Sequence, residues 1–136
     1  MDKRISSRGI IIKDNKLLTM FRKKNIDGNI ITYYVIPGGG VEEGESLENT
    51  VIREIKEELS LDVKVKEFVC KLEGKDISNF FLCEIVGGEL KLGGEELNYM
   101  TESNYYEPMY IPLDKIKDIN LLPKEIKDII INKYVK

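Results

Sequence analysis

Two periods of apolar and polar positions run along this chain, and the places where one gives way to the other mark its elements. Arg8 to Lys13 (Arg-Gly-Ile-Ile-Ile-Lys) is a short apolar run that reads as a first strand. Asp14-Asn15 supplies a tight turn, and Lys16 to Arg22 returns as the partner strand. A loop holding Asp27-Gly28 leads to a third strand, Ile30 to Ile36, rich in β-branched and aromatic residues. Pro37-Gly38-Gly39-Gly40 breaks that strand, and Glu42 to Gly44 is polar loop. The period then becomes helical. Leu47, Val51, Ile52, Ile55 and Leu59 form one apolar stripe, with Ser46 placed to cap a helix that runs to Leu59.

Beyond the helix the strand period returns. Val63, Val65 and Val69 fall on one side of a period-two pattern, and Phe80 to Val86 reads as a more fully buried strand. Gly87 to Asn104 is a loop rich in acidic and amide side chains. Tyr105 to Ile111 predicts another strand, which Pro108 confines to an edge or a bulge. Pro112-Leu113-Asp114 opens a short helical turn. Pro123 followed by Ile126, Ile129, Ile130 and Tyr134 predicts a C-terminal amphipathic helix. Strands, helix, strands, helix in that order imply an α+β sandwich around a mixed β-sheet rather than a doubly wound parallel fold. A length of 136 residues suits one domain, 1–136.

Composition narrows the chemistry. With 42% apolar and 33% charged residues the chain is of ordinary soluble composition, and no apolar run reaches bilayer-spanning length. Met1-Asp2-Lys3-Arg4-Ile5 lacks the apolar core of a secretory signal, so a cytoplasmic location without membrane attachment is expected. A net charge of -3 argues against a broad basic face for a large nucleic acid. Cys70 and Cys83 lack metal-ligand spacing and suit reduced thiols in neighbouring strands. The count of 0 histidines excludes more, because it removes imidazole bases, histidine-ligated zinc and histidine-activated nucleophiles. Any acid-base or metal chemistry falls to carboxylates, lysines, tyrosines or a metal-bound water.

The stretch from Gly39 to Leu61 answers that requirement. Glu54, Glu57 and Glu58 stand at i, i+3 and i+4 of the predicted helix, which places three carboxylates in one sector beside the apolar stripe. Like charges at that spacing repel, whereas a hard divalent cation takes oxygen ligands and removes the repulsion. A solvated acidic helix face would show the same spacing. The loop before it tips the balance, since consecutive glycines after Pro37 let backbone approach a ligand closely. Arg53, one turn before Glu57, is placed to orient it and keep it ionised.

This segment resembles the Nudix box: Gly, five residues, Glu, seven residues, then Arg-Glu-aliphatic-any-Glu-Glu-any-Gly-aliphatic. Here Gly39 and Glu45 are followed by Arg53-Glu54-Ile55-Lys56-Glu57-Glu58-Leu59-Ser60-Leu61, so the box spans 39–61 and departs only at Ser60, which replaces the glycine expected at the helix end. The flanks Tyr33-Tyr34-Val35-Ile36-Pro37-Gly38-Gly39 and Tyr110-Ile111-Pro112-Leu113-Asp114 are similar to the family as well. The resemblance implies a Nudix (MutT-type) hydrolase with an α/β/α sandwich. Such a protein cleaves the pyrophosphate linkage of a nucleoside diphosphate joined to another moiety, using Mg²⁺, for which Mn²⁺ can substitute. It carries metal-ligand roles onto Glu54, Glu57 and Glu58, catalytic roles onto Arg53, Glu57 and Glu58, and substrate contacts onto Gly38, Gly39 and Tyr34. Glu45 would tie the loop to the helix.

Several positions keep two explanations. Tyr34 stands where family members carry a base-stacking aromatic, and cross-strand packing explains it equally well. Arg22-Lys23-Lys24 could meet phosphates or form a solvated turn. One further carboxylate from the late loop, Glu95, Glu96 or Glu102, could join the site. Glu73 to Asn79 lacks the proline that accompanies ADP-ribose hydrolysis in the family, and no tyrosine lies between Leu61 and Tyr99 to suggest dinucleoside polyphosphates. Elimination leaves a nucleoside triphosphate, oxidised or unmodified, split to a monophosphate and pyrophosphate. The alternative is a non-catalytic Nudix-fold module that senses a nucleotide, for which loss of box glutamates would be the sign. A monomer and a homodimer are both compatible with the sequence.

Overall fold

The computed structural model describes residues 3–93, 101 and 103–136. Turn chemistry decides how the chain begins. Asp14 and Asn15 hold φ at 52° and 60°, the left-handed region that short polar residues tolerate and that a two-residue type I′ hairpin needs at both central positions. The turn joins β1 (Ile5–Lys13) to β2 (Lys16–Ile26). Asp27 and Gly28, at 52° and 87°, repeat the device before β3 (Asn29–Val35). Next come β4 (Gly38–Gly40), α1 (Leu47–Leu59), β5 (Leu61–Glu73), β6 (Ile77–Gly88) and β7 (Asn104–Pro112). A 3-10 turn over Leu113–Asp118, β8 (Leu121–Leu122) and α2 (Lys124–Tyr134) complete the chain.

The sheet runs β5-β6-β1-β2-β3-β8, with β4 also paired to β1 and β7 to β2. It is mixed: β1 with β6 and β3 with β8 are parallel, and the remaining pairs are antiparallel. β1 belongs to two neighbourhoods. Its first half lies between β4 and β6, and its last two residues pair with β2. Alternation along the strands sends adjacent side chains to opposite cores. Ile11, Leu18 and Phe81 join Val51, Ile55 and Leu59 of α1, whereas Ile10, Leu17 and Phe80 join Ile126 and Ile130 of α2. The result is the expected α/β/α sandwich.

The structure revises several expectations. β1 begins at Ile5 and β2 extends to Ile26, because pairing with β6 and β3 continues beyond the apolar runs. The glycine run does not merely end a strand. It forms β4, with Ser6, Ser7 and Arg8 opposite Gly40, Gly39 and Gly38. On α1, Ile52 is 36% exposed while Thr50 and Glu58 are 0% and 5% exposed. The helix has turned its acidic side toward the glycine strand, where no side chains stand in the way. Val69 leaves the side shared by Val63 and Val65, and packs on the α2 core. Register shifts between Val65 and Glu67 and between Phe68 and Cys70 separate them, and an extra residue in one strand moves the residues after it to the other face. In β6 burial is concentrated in Phe80, Phe81 and Cys83, and Val86 is exposed. β7 pairs only with β2 among the described residues, so Pro108, opposite Met20, sits on an edge strand as its missing N–H requires. Glu95, Glu96 and Glu102 lie outside the described residues.

Candidate active site

The site is assembled around α1. Ser46 Oγ accepts a hydrogen bond from the Asn49 amide at 3.1 Å, which caps the helix. At the other end Ser60 adopts φ 62°, ψ 26° and donates its N–H to the Lys56 carbonyl. The next carbonyls are taken by chain arriving after β6: Lys91 N–H donates to Leu59 and Gly93 N–H to Glu58, each at 2.9 Å.

Arg53 gathers the loop and the helix. Its Nε and Nη2 donate to the two carboxylate oxygens of Glu45 at 2.7 and 2.9 Å, a bidentate pair of the strong, charge-assisted kind. Nη2 also reaches the Gly40 carbonyl at 3.1 Å, and Nη1 reaches Glu54 at 3.0 Å and Glu57 at 3.3 Å. Glu45 accepts further bonds from Thr50 Oγ1 at 2.7 Å and the Glu42 amide at 3.1 Å. Hydrogen bonding from Arg53, then from Thr50, holds the Glu45 carboxyl at a pKa of about 2. The same pairing with Glu45 pushes the Arg53 guanidinium upward.

Two glycines of β4 allow close approach. A Cβ on Gly39 would fall 2.4 Å from the Glu54 carboxyl carbon, so that carboxylate lies directly over the strand. A Cβ on Gly38, whose φ is 152°, would fall 2.3 Å from the Ser7 carbonyl oxygen and 2.6 Å from Arg8 Cα. Beside these glycines is a cavity of about 200 Å³ lined by Glu54 and the buried Glu58. Arg4, Arg8, Arg22 and Tyr106 line the same cavity. Arg8 donates to the Ile36 carbonyl at 2.9 Å. Burial pushes its guanidinium below the ordinary value, while Glu58 pulls it back up. Arg22 donates to the Tyr106 hydroxyl at 2.8 Å, lies 4.2 Å from that ring's centre, and keeps a buried Nε with no hydrogen-bond partner.

The structure thus brings Glu54, Glu58, Gly38 and Gly39 to one cavity and ties Arg53 to them. Glu57 stands outside, 54% exposed on the Arg53 side. Tyr34 is not in the cavity. It pairs with Phe21 at 5.2 Å and packs on the α2 core. Its neighbour Val35 lines the cavity, and Tyr33 approaches Arg22 at 5.6 Å. One step along a strand reverses the face. Arg22 is no solvated turn, since it lies inside β2. Sequence reasoning missed Arg4, Arg8, Tyr33 and Tyr106; the available signal was a charge or phenol within segments of strand period.

Glu54 and Glu58 offer carboxylate oxygens to the cavity, and the Glu54 carboxylate over Gly39 occupies a cradle that any side chain there would fill. That set fits a hard divalent cation. Among the described residues no three acidic or cysteine side chains already converge as a cation-binding group. Arg53 Nη1 instead pairs with both Glu54 and Glu57. No described helix is long and apolar enough to cross a membrane.

Comparison with known proteins agrees with this architecture. An ADP-ribose pyrophosphatase of Methanocaldococcus jannaschii is 43% identical over 94 residues, covering 64% of this chain and 54% of that protein. The chain therefore spans about half the length of that relative. A NUDIX hydrolase from Nitrosomonas europaea superposes with a TM-score of 0.70 at 14% identity, over 95% of this chain and 86% of that one. The MutT protein of Methanosarcina mazei Go1 gives 0.64 at 21% identity, over 95% and 92%. At such identities the likeness is one of fold. The model of the NUDIX domain matches residues 3–127, and the chain belongs to the Nudix family.

Proposed function

We propose that the protein hydrolyses the pyrophosphate linkage of a nucleoside diphosphate joined to a second group, with Mg²⁺ or Mn²⁺ held by Glu54, Glu57 and Glu58. The observation that carries this reading is one small cavity lined by two carboxylates, Glu54 and Glu58, and three arginines, Arg4, Arg8 and Arg22. A bound cation would neutralise charge developing on the phosphates and make water a better nucleophile. The rest falls to the chain. Arg4, Arg8 and Arg22 meet phosphate oxygens, for which a planar guanidinium is suited. Arg53 orients Glu54 and Glu57, and Glu45 fixes Arg53 to the loop. With 0 histidines, the attacking water loses its proton to a carboxylate.

Three arginines suit a phosphate chain with a free end, which supports a nucleoside triphosphate, split to a monophosphate and pyrophosphate. A second reading, ADP-ribose, is favoured by the name of the relative from M. jannaschii. The deciding experiment is a Mg²⁺-containing panel of nucleoside triphosphates, oxidised triphosphates, ADP-ribose, nucleotide sugars and dinucleotides, with EDTA controls and products identified. The expected result is cation-dependent release of a nucleoside monophosphate from one class. Nucleotide binding without turnover of any member would replace the hydrolase with a sensing module.

A further inference from the structure

A second cavity lies away from the box, where the parallel pair β1 and β6 comes apart. Their ladder ends at Ile11 opposite Cys83, although both strands continue, β1 to Lys13 and β6 to Gly88. From Ile12 onward β1 pairs with β2 instead. The strands diverge and leave a crevice at their carboxyl ends, the place where open sheets with a switch of neighbour commonly take ligands. The crevice measures about 440 Å³, within the ordinary range for small-molecule sites. Ile11, Ile12, Leu82 and Ile85 make its walls apolar. Cys83 adds to them as an inert surface, because burial pushes its thiol up to about 12.

Two features make the crevice more than a packing defect. Tyr134, from the last turn of α2, lines it, and the Tyr134 hydroxyl is buried with no hydrogen-bond partner. Buried phenols ordinarily find one. The surrounding charge is also unbalanced. Lys13, Lys66 and Glu84 line the crevice, and Glu84 is shared between Lys66 at 3.4 Å and Lys64 at 4.0 Å. Among the lining residues, two lysines therefore stand against one carboxylate.

We infer that this crevice is a binding site for a small apolar anion, its ring or branched body between β1 and β6, its charge toward Lys13 and Lys66, and a polar atom on the Tyr134 hydroxyl. The site does not depend on the hydrolytic reading, since it shares no residue with the Glu54–Arg22 cavity.

The test uses the whole protein and the aromatic sulfonate 1-anilinonaphthalene-8-sulfonate as probe, with neutral N-phenyl-1-naphthylamine as the uncharged comparison. Fluorescence titration should show one saturable site, with the anion bound at least about fivefold tighter than the neutral amine. Amide NMR shifts should map to Ile11–Lys13 and Leu82–Ile85. Leu82→Trp, which fills the crevice, should weaken the anion at least tenfold. Lys66→Gln should weaken the anion severalfold and leave the amine unchanged. If Leu82→Trp does not fold, Tyr134→Phe, which removes only the hydroxyl, takes its place and should weaken the anion about threefold. Absence of saturable binding, shifts that map to the Glu54–Arg22 cavity or to Phe21 and Tyr105, or equal affinity for anion and amine would each overturn the inference.

Discussion

The acidic and the basic residues that line the Glu54–Arg22 cavity were assembled in different ways. The carboxylate lining comes from a single stretch, Gly39 to Leu61, in which β4 and α1 follow one another and Arg53 closes the contact through Glu45 and Gly40. The basic lining is collected from Arg4 just before β1, Arg8 on β1, Arg22 on β2 and Tyr106 on β7. Local spacing is enough for the first, because i, i+3 and i+4 positions meet on any helix. The second exists only after strands far apart in sequence have paired in one register, Arg22 opposite Tyr106 and Tyr33. A contiguous motif tells which chemistry is available. On the proposed function, the dispersed arginines would receive the substrate's phosphates.

The sharpest way to break the comparison is to disable each set of residues in turn. Glu58→Gln and Glu57→Gln keep shape and remove a carboxylate charge, and each should lower kcat at least ~10²-fold in the Mg²⁺ assay. Near-wild-type rates in both would remove the metal role from the helix. Arg22→Met acts on the basic lining. It should raise KM about tenfold, equivalent to ~1.4 kcal/mol, with kcat changed far less. An equal fall in kcat and kcat/KM would mean that Arg22 works in the transition state, and the division of labour between the two sets would be redrawn.

A smaller effect tests how the carboxylate lining is anchored. The Glu45 carboxyl lies at about 2 in the folded chain against an ordinary value of 4.5. A depressed carboxyl contributes stability that is complete above the unfolded value and disappears as pH falls through the folded one. The wild type should therefore lose stability between about pH 4.5 and 2. Glu45→Gln should begin less stable at pH 7 and lose less across that window, as urea midpoints measured at each pH would show. Parallel curves for the two proteins would deny Glu45 its anchoring role.

The smallest effect concerns the helix end. Ser60 sits in the left-handed region at φ 62°, where a Cβ costs ~1–2 kcal/mol. Ser60→Gly should stabilise the fold by about 0.5–1 kcal/mol in urea titrations, with unchanged kcat, since Ser60 touches none of the carboxylates. A destabilised variant would show that the serine contributes more than its backbone costs.

Much of this protein was legible before folding. Helical spacing placed α1 and its carboxylates, the Asp14-Asn15 dipeptide placed a hairpin, and Pro108 placed an edge strand, because each depends on neighbours within one turn or one pairing. Tertiary structure alone decided three other things. Strand parity put Tyr34 on the α2 core and Val35 in the cavity, and the bulges in β5 carried Val69 to the opposite face from Val65. The glycine run became a strand because β1 offered it a partner, and only that pairing brought Gly39 beneath Glu54. Period and turn chemistry are local properties of the chain, whereas register and face are settled by which strand lies alongside.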